Sequence, residues 1–216
     1  MRIGKKIRIN KRRAIISLLI MVALIAVGVT AAAKYLDSIP TELREGINII
    51  ETIPIITDFI KEGSLERPGD LRKIKYIVIH ETGNRGRNAD AASHNNYLHT
   101  EADNQRKSWH YTVDDHEIYY HIPDNEIAFH AGDGLRDDGG NLNGIGIEMC
   151  VNPENDYEKT LVNTAKLAAL LITSYDLDIS RVKKHEDFSG KYCPEILLAE
   201  DRWEEFVEMV KQELAE

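Results

Sequence analysis

The stretch KKHEDFSGKYCP, residues 183–194, sets His185, Lys191 and Cys193 within nine positions. An imidazole and a thiolate are ligands for a borderline-soft metal, and the lysine adds a cation beside them. His80, which closes the apolar run IKYIVIH (74–80), supplies a second imidazole from the end of a rigid element. Two imidazoles and one thiolate suit Zn²⁺, and three protein ligands leave a fourth tetrahedral position for water. Water so placed is acidified toward neutrality and becomes a nucleophile. The His-x₇-Cys spacing is not a tight finger-like pair, so three unrelated polar residues in a turn remain the other reading. A hydrolytic site also needs a proton acceptor, and Glu148 in GIGIEMCV is the candidate. Its bland alternative is an exposed acid or ion-pair member on an edge strand. Lys191 suits the oxyanion of a tetrahedral intermediate, or else is a solvated surface charge.

These residues need elements to hold them. IKYIVIH is a nearly continuous apolar run, which predicts a strand buried on both faces. ADAASHNNYLHT (89–100) reads as a helix. WHYTV (109–113) and EIYYHI (117–122) read as a hairpin joined through Asp114–His116. GIGIEMCV (144–151) is a further strand whose alternation sets Ile145, Ile147 and Met149 on one face and Glu148 with Cys150 on the other. TLVNTAKLAALLITSY (160–175) carries Leu161, Ala165, Ala168, Ile172 and Tyr175 on one helical stripe, and the C-terminal helix carries Trp203, Phe206, Val207, Val210 and Leu214. Strands, helices and a hairpin together predict an α/β domain with a mixed central sheet flanked by helices, spanning 71–216. Residues 34–70 are expected to be a linker with one or two short helices broken at Pro54.

The net charge of −9 hides an asymmetry. Residues 1–34 hold eight of the 27 basic residues and no acidic ones, so the other 182 carry 19 basic against 36 acidic, a net of −17. A body that acidic is a poor binder of nucleic acid, because counterion release needs clustered Lys and Arg. Two cysteines are too few for a disulfide scaffold. Cys150 is read as a free, buried thiol, with a bridge to Cys193 left open.

AIISLLIMVALIAVGVTAAA, residues 14–33, has no charge and is bracketed by Arg12–Arg13 and Lys34. As a helix rising ~1.5 Å per residue it spans the roughly 30 Å hydrocarbon core. The basic tail 1–13 predicts an N-in orientation with the body outside the cytoplasmic membrane. An Ala-x-Ala site ending at Ala33 leaves a cleaved signal peptide as the alternative to a retained single-pass anchor. The chain ends soon after its last predicted helix, so the anchor is expected to stand in for a wall-binding module.

Five collinear blocks, YIVIHETGN (76–84), SWHYTVDD (108–115), IPDNEIAFHAGDG (122–134), GIGIEMCVN (144–152) and RVKKHEDFSGKYCP (181–194), resemble the zinc-dependent N-acetylmuramoyl-L-alanine amidases of phage and bacillar lysins, relatives of peptidoglycan-recognition proteins. The resemblance covers roughly residues 71–200. It implies that Zn²⁺ on His80, His185 and Cys193 is used to cut the bond between N-acetylmuramic acid and the L-alanine of peptidoglycan; the chain is expected to act as a monomer. It also implies Glu148 as catalytic base, Lys191 as oxyanion support, and His130, Trp109 and His110 at the substrate cleft. Trp109 stands where some relatives place a tyrosine base, which favours Glu148. Glu81 stands where many carry an aromatic. A muropeptide-binding module of the same fold that does not cut, or a zinc hydrolase of another wall amide, are the rival readings; a non-cutting relative usually lacks the cysteine. The histidines at 94, 99, 116 and 121 are expected to be structural or solvated.

Overall fold

The computed structural model describes residues 47–50, 53–100 and 105–215. These residues fall within one compact unit, Thr41–Glu216. Seven strands form one mixed sheet: β1 (Ile47–Ile50), β2 (Ile53–Thr57), β3 (Tyr76–Glu81), β4 (Tyr111–Val113), β5 (Ile118–Tyr120), β6 (Gly144–Met149) and β7 (Val182–Lys184). Their order is β1-β2-β5-β4-β6-β3-β7. β4, β6, β3 and β7 run parallel, while β5 turns back antiparallel to β4 and β1 antiparallel to β2. The helices are α1 (Ala91–Thr100), α2 (Gly140–Asn143), α3 (Tyr157–Ser174), α4 (Glu186–Ser189), α5 (Glu195–Ala199) and α6 (Trp203–Glu213).

β3 is an interior strand, between β6 and β7, and its sequence is apolar to match: Ile77, Val78 and Ile79 are fully buried, as a strand covered on both faces requires. α1 starts where Asp90 accepts the Ser93 N–H at 2.8 Å, and α3 where Asp156 accepts from Lys159 N–H, each satisfying a free helix donor. α3 packs against α6, with Phe206 and Val210 fully buried. Leu214 is 37 % exposed, so the expected apolar stripe of α6 is buried only in part.

The expected linker with short helices is corrected from Ile47 onward. Residues 47–50 and 53–57 are strands added to the sheet, so the folded unit begins well before Leu71. β-branched isoleucines favour the pleated surface over the helix. Pro54 is tolerated because the pairing of β2 with β5 begins at Ile55, just past the missing N–H. Downstream, the Arg67 guanidinium grips Glu126 through two bonds of 2.7 Å and donates to Ile60 O, pinning this segment to the body. The apolar stretch 14–33 lies outside the described residues, and among the described residues no helix is long and apolar enough to cross a membrane.

Candidate metal centre and the cleft beside it

β3 and β6 pair with His80 opposite Glu148. Both are the penultimate residues of their strands and so stand at the carboxyl ends of the parallel strands, where open α/β sheets bind ligands. β7 flanks β3 on its other side and delivers His185 one residue past its end, with the His185 N–H donating to Ile79 O at 3.3 Å. Cys193 comes from the irregular chain between α4 and α5. Its sulfur accepts the Glu81 backbone N–H at 3.4 Å. One ligand atom each of His80, His185 and Cys193 lies within 4.8 Å of the other two, and all three residues are buried.

The hydrogen bonds around the histidines fix where their protons sit. His130 Nε2 faces Gly144 O at 3.0 Å, and a carbonyl only accepts, so Nε2 carries the proton. Neutral His130 then accepts at Nδ1, and His80 Nε2, 2.9 Å away, is the donor. That leaves the Nδ1 of His80 as a bare lone pair. His185 hydrogen-bonds the Ala131 backbone, and its Nδ1 faces the Nδ1 of His80 at 2.9 Å. Two imidazole lone pairs aimed at one another beside a sulfur repel, unless a cation is what they share. The donor set therefore fits zinc, with the second nitrogen of His80 tied down by His130 as a metal-binding imidazole requires.

The electrostatics agree. Burial holds His80 well below the ordinary histidine range, helped by the facing His130 and His185, and burial with Lys191 lowers His185 to about 4. Both are neutral at pH 7, the form that binds metal. Burial and the nearby Glu148 push Cys193 up to about 12, a penalty that a bound dication reverses. Burial pushes Glu148 up to about 7 against the opposing pull of Lys191. Its Oε1 lies 4.0 Å from His80 Nδ1, and its Oε2 is buried without a hydrogen-bond partner. An acceptor left empty beside a metal set is placed to receive a proton.

A cleft opens on this carboxylate, lined among others by Trp109, Lys191, His94, Tyr97 and Lys107. Trp109 is held by its indole N–H donating to Thr112 Oγ1 at 2.7 Å. Two expectations are corrected. His130 does not line this cleft; it is buried behind His80, pressed against Gly146, where a Cβ would come within 2.6 Å of its ring. His110 is fully buried as well, accepting from Gly146 N–H at 3.0 Å and bonding Glu126 O at 3.1 Å, so it bolts a loop to the sheet. Both motif histidines lie behind the site, on chain outside the strands, where their rings bond backbone groups of β6 and the loop at Glu126. His94 and Tyr97, three residues apart on α1, do line it; that spacing was the only signal, and it equally suits a structural face. His116 sits in an acidic turn with Asp114, whose carboxylate caps the N–H groups of Ala91, His116 and Glu117. Both cysteines are free and buried, which closes the question of a Cys150–Cys193 bridge.

A mixed sheet whose parallel strands end in a His–His–Cys cluster, with a nearly buried carboxylate alongside, has the layout of a metal-assisted hydrolase. The chain belongs to the N-acetylmuramoyl-L-alanine amidase family, whose model matches residues 70–196. It is 42 % identical over 154 residues to the N-acetylmuramoyl-L-alanine amidase XlyA of Bacillus subtilis, a match covering 71 % of this chain and 50 % of that protein. It is 39 % identical over 155 residues to CwlH of the same organism, covering 72 % and 60 %. The chain thus spans about half the length of the curated relatives it matches. The solved catalytic domain of XlyA superposes with a TM-score of 0.68, covering 72 % of this chain and 98 % of that domain. The structure of PlyL, 32 % identical, superposes at 0.65, covering 72 % and 96 %.

Proposed function

We propose that this protein is a zinc-dependent peptidoglycan amidase that hydrolyses the bond between the lactyl group of N-acetylmuramic acid and the L-alanine of the stem peptide. The observation that carries this reading is the convergence of two imidazole lone pairs and the Cys193 sulfur beside the unpartnered Oε2 of Glu148. Bound zinc supplies Lewis-acid polarisation of a carbonyl and an acidified water. Glu148 takes the proton of the attacking water and hands it to the leaving amine; a carboxyl near 7 matches both halves of that transfer. Lys191, exposed at the cleft mouth, brings its ammonium to the oxyanion. The Trp109 ring forms part of the wall against which the substrate packs.

The uncharged stretch 14–33 behind a tail of seven basic residues supports a single membrane span that leaves the catalytic unit on the wall side. Release of the protein by salt or carbonate washing of membranes argues against this tether.

Digestion of purified walls by the full chain, followed by mass spectrometry of the products, tests the activity. The expected outcome is chelator-sensitive release of stem peptides with free N-terminal alanine. Intact walls after incubation with zinc-loaded protein overturn the reading in favour of binding without cleavage, and cleavage at another amide corrects the bond.

A further inference from the structure

Glu81 follows the ligand His80 and is 6 % exposed, an unusual place for a carboxylate. The side chain is fully engaged. Its Oε1 accepts the Tyr157 hydroxyl at 2.6 Å and the Leu197 N–H at 3.4 Å, and its Oε2 accepts the Ile196 N–H at 2.9 Å. The backbone of the same residue donates its N–H to Cys193 Sγ at 3.4 Å. One residue therefore holds the sulfur directly and also grips the chain three and four residues beyond it.

Cys193 needs such a grip. His80 rides on the interior strand β3 and His185 directly follows β7, whereas residues 190–193 have no regular secondary structure. The first turn of α5, whose N–H groups lack intrahelical partners, is the nearest regular chain to Cys193, and the Glu81 carboxylate supplies acceptors for two of those groups. Tyr157, in the first turn of the long helix α3, fixes the carboxylate from behind. The path α3–Tyr157–Glu81–α5 ties the chain just beyond Cys193 to the end of β3.

We propose that Glu81 is a positioning residue for the metal centre, bracing the thiolate ligand through α5 and thereby setting how tightly the metal is held. This inference rests on the zinc reading above.

The test uses the full chain with Glu81→Ala, Glu81→Gln and Tyr157→Phe. Zinc affinity is read by competition with a chromophoric chelator, the thiolate-to-metal charge-transfer band by cobalt(II) substitution, and folding by the thermal midpoint. Glu81→Ala is expected to weaken zinc binding by about 10–100-fold, the usual cost of losing an outer-shell partner, and to dim or shift the cobalt–thiolate band. Glu81→Gln, which keeps an acceptor oxygen, is expected to recover most of that loss, and Tyr157→Phe to show a smaller loss in the same direction. Wild-type affinity and an unchanged band in Glu81→Ala overturn the inference while leaving the zinc reading intact. If Glu81→Ala does not fold, wild-type zinc release from Tyr157→Phe overturns it instead. Absence of bound zinc or cobalt in the wild-type chain overturns the zinc reading itself, and this inference with it.

Discussion

The candidate site has a half built on strands and a half built on loops. His80 and Glu148 face each other across the paired strands β3 and β6, in a register fixed by a continuous ladder from Tyr76–Gly144 to Glu81–Met149. His185, Lys191 and Cys193 lie on the chain that follows β7, interrupted by one four-residue helix. The strand half is positioned by backbone bonds that the sheet makes in any case. The loop half is positioned by particular side chains: Glu81 for the cysteine, and the Ala131 backbone for the second histidine. The comparison teaches that the proton acceptor sits where the scaffold is stiff, and the thiolate ligand where the chain has to be braced. Removing Glu148 should reduce turnover and spare the metal, and changes to the braces should do the reverse.

The largest expected effect is on the strand half. Glu148→Gln removes the proton acceptor and is expected to lower kcat by about 10²–10⁴-fold with zinc content unchanged; loss of zinc in this variant breaks the division between the halves. The same variant should gain stability. Glu148 is raised from 4.5 to about 7 when folded, so the folded state holds that proton more tightly than the unfolded chain. Stability from this group is full below about pH 4.5 and is lost as pH rises toward 7. At roughly 1.4 kcal/mol per pKa unit the loss is at most about 3 kcal/mol, since the side chain retains 14 % exposure. The gap in denaturant midpoint between Glu148→Gln and wild type, both chelator-treated, should therefore be small at pH 5 and wide at pH 8, a difference in which the buried histidines shared by both proteins cancel.

Lys191 tests whether the loop half has any chemical share. Lys191→Met keeps the stem and deletes the ammonium, and a fall in kcat of about 10²–10³-fold, with KM little changed, is expected for a lost oxyanion donor. A pure KM effect instead makes Lys191 a substrate-binding residue and sharpens the division.

The same contrast separates what could be read in the sequence from what could not. His80 and Glu148 were legible because strand alternation assigns side chains to faces, and buried runs such as IKYIVIH announce central strands. The hairpin of β4 and β5 and the helices α1, α3 and α6 followed from alternation and helical periodicity. The isoleucines of β1 and β2 misled, because short apolar runs interrupted by a proline suit a broken helix as well as a strand. α4, α5 and β7 are three to five residues long and owe their existence to tertiary bonds such as those from Glu81. For His130 the motif marked importance and gave the wrong side: no spacing rule shows that a histidine stands behind a ligand and not before the substrate.

His130 also supplies the subtlest test of the strand half, since it is the one brace found there. Its Nδ1 accepts from His80 Nε2 at 2.9 Å while its own Nε2 donates to Gly144 O, so it dictates which nitrogen of His80 is left bare for the metal. His130→Phe fills a similar volume and removes the acceptor, so His80 is no longer held to one tautomer. Zinc affinity is expected to fall by about 10–100-fold, and ¹⁵N spectra of the metal-free protein should change from a single Nε2–H form of His80 to a mixture. Gly146→Ala should show a weaker version of both, because its added Cβ displaces the His130 ring and does not delete it. A single Nε2–H tautomer persisting in His130→Phe would mean that the sheet alone orients His80, and the strand half would then need no brace.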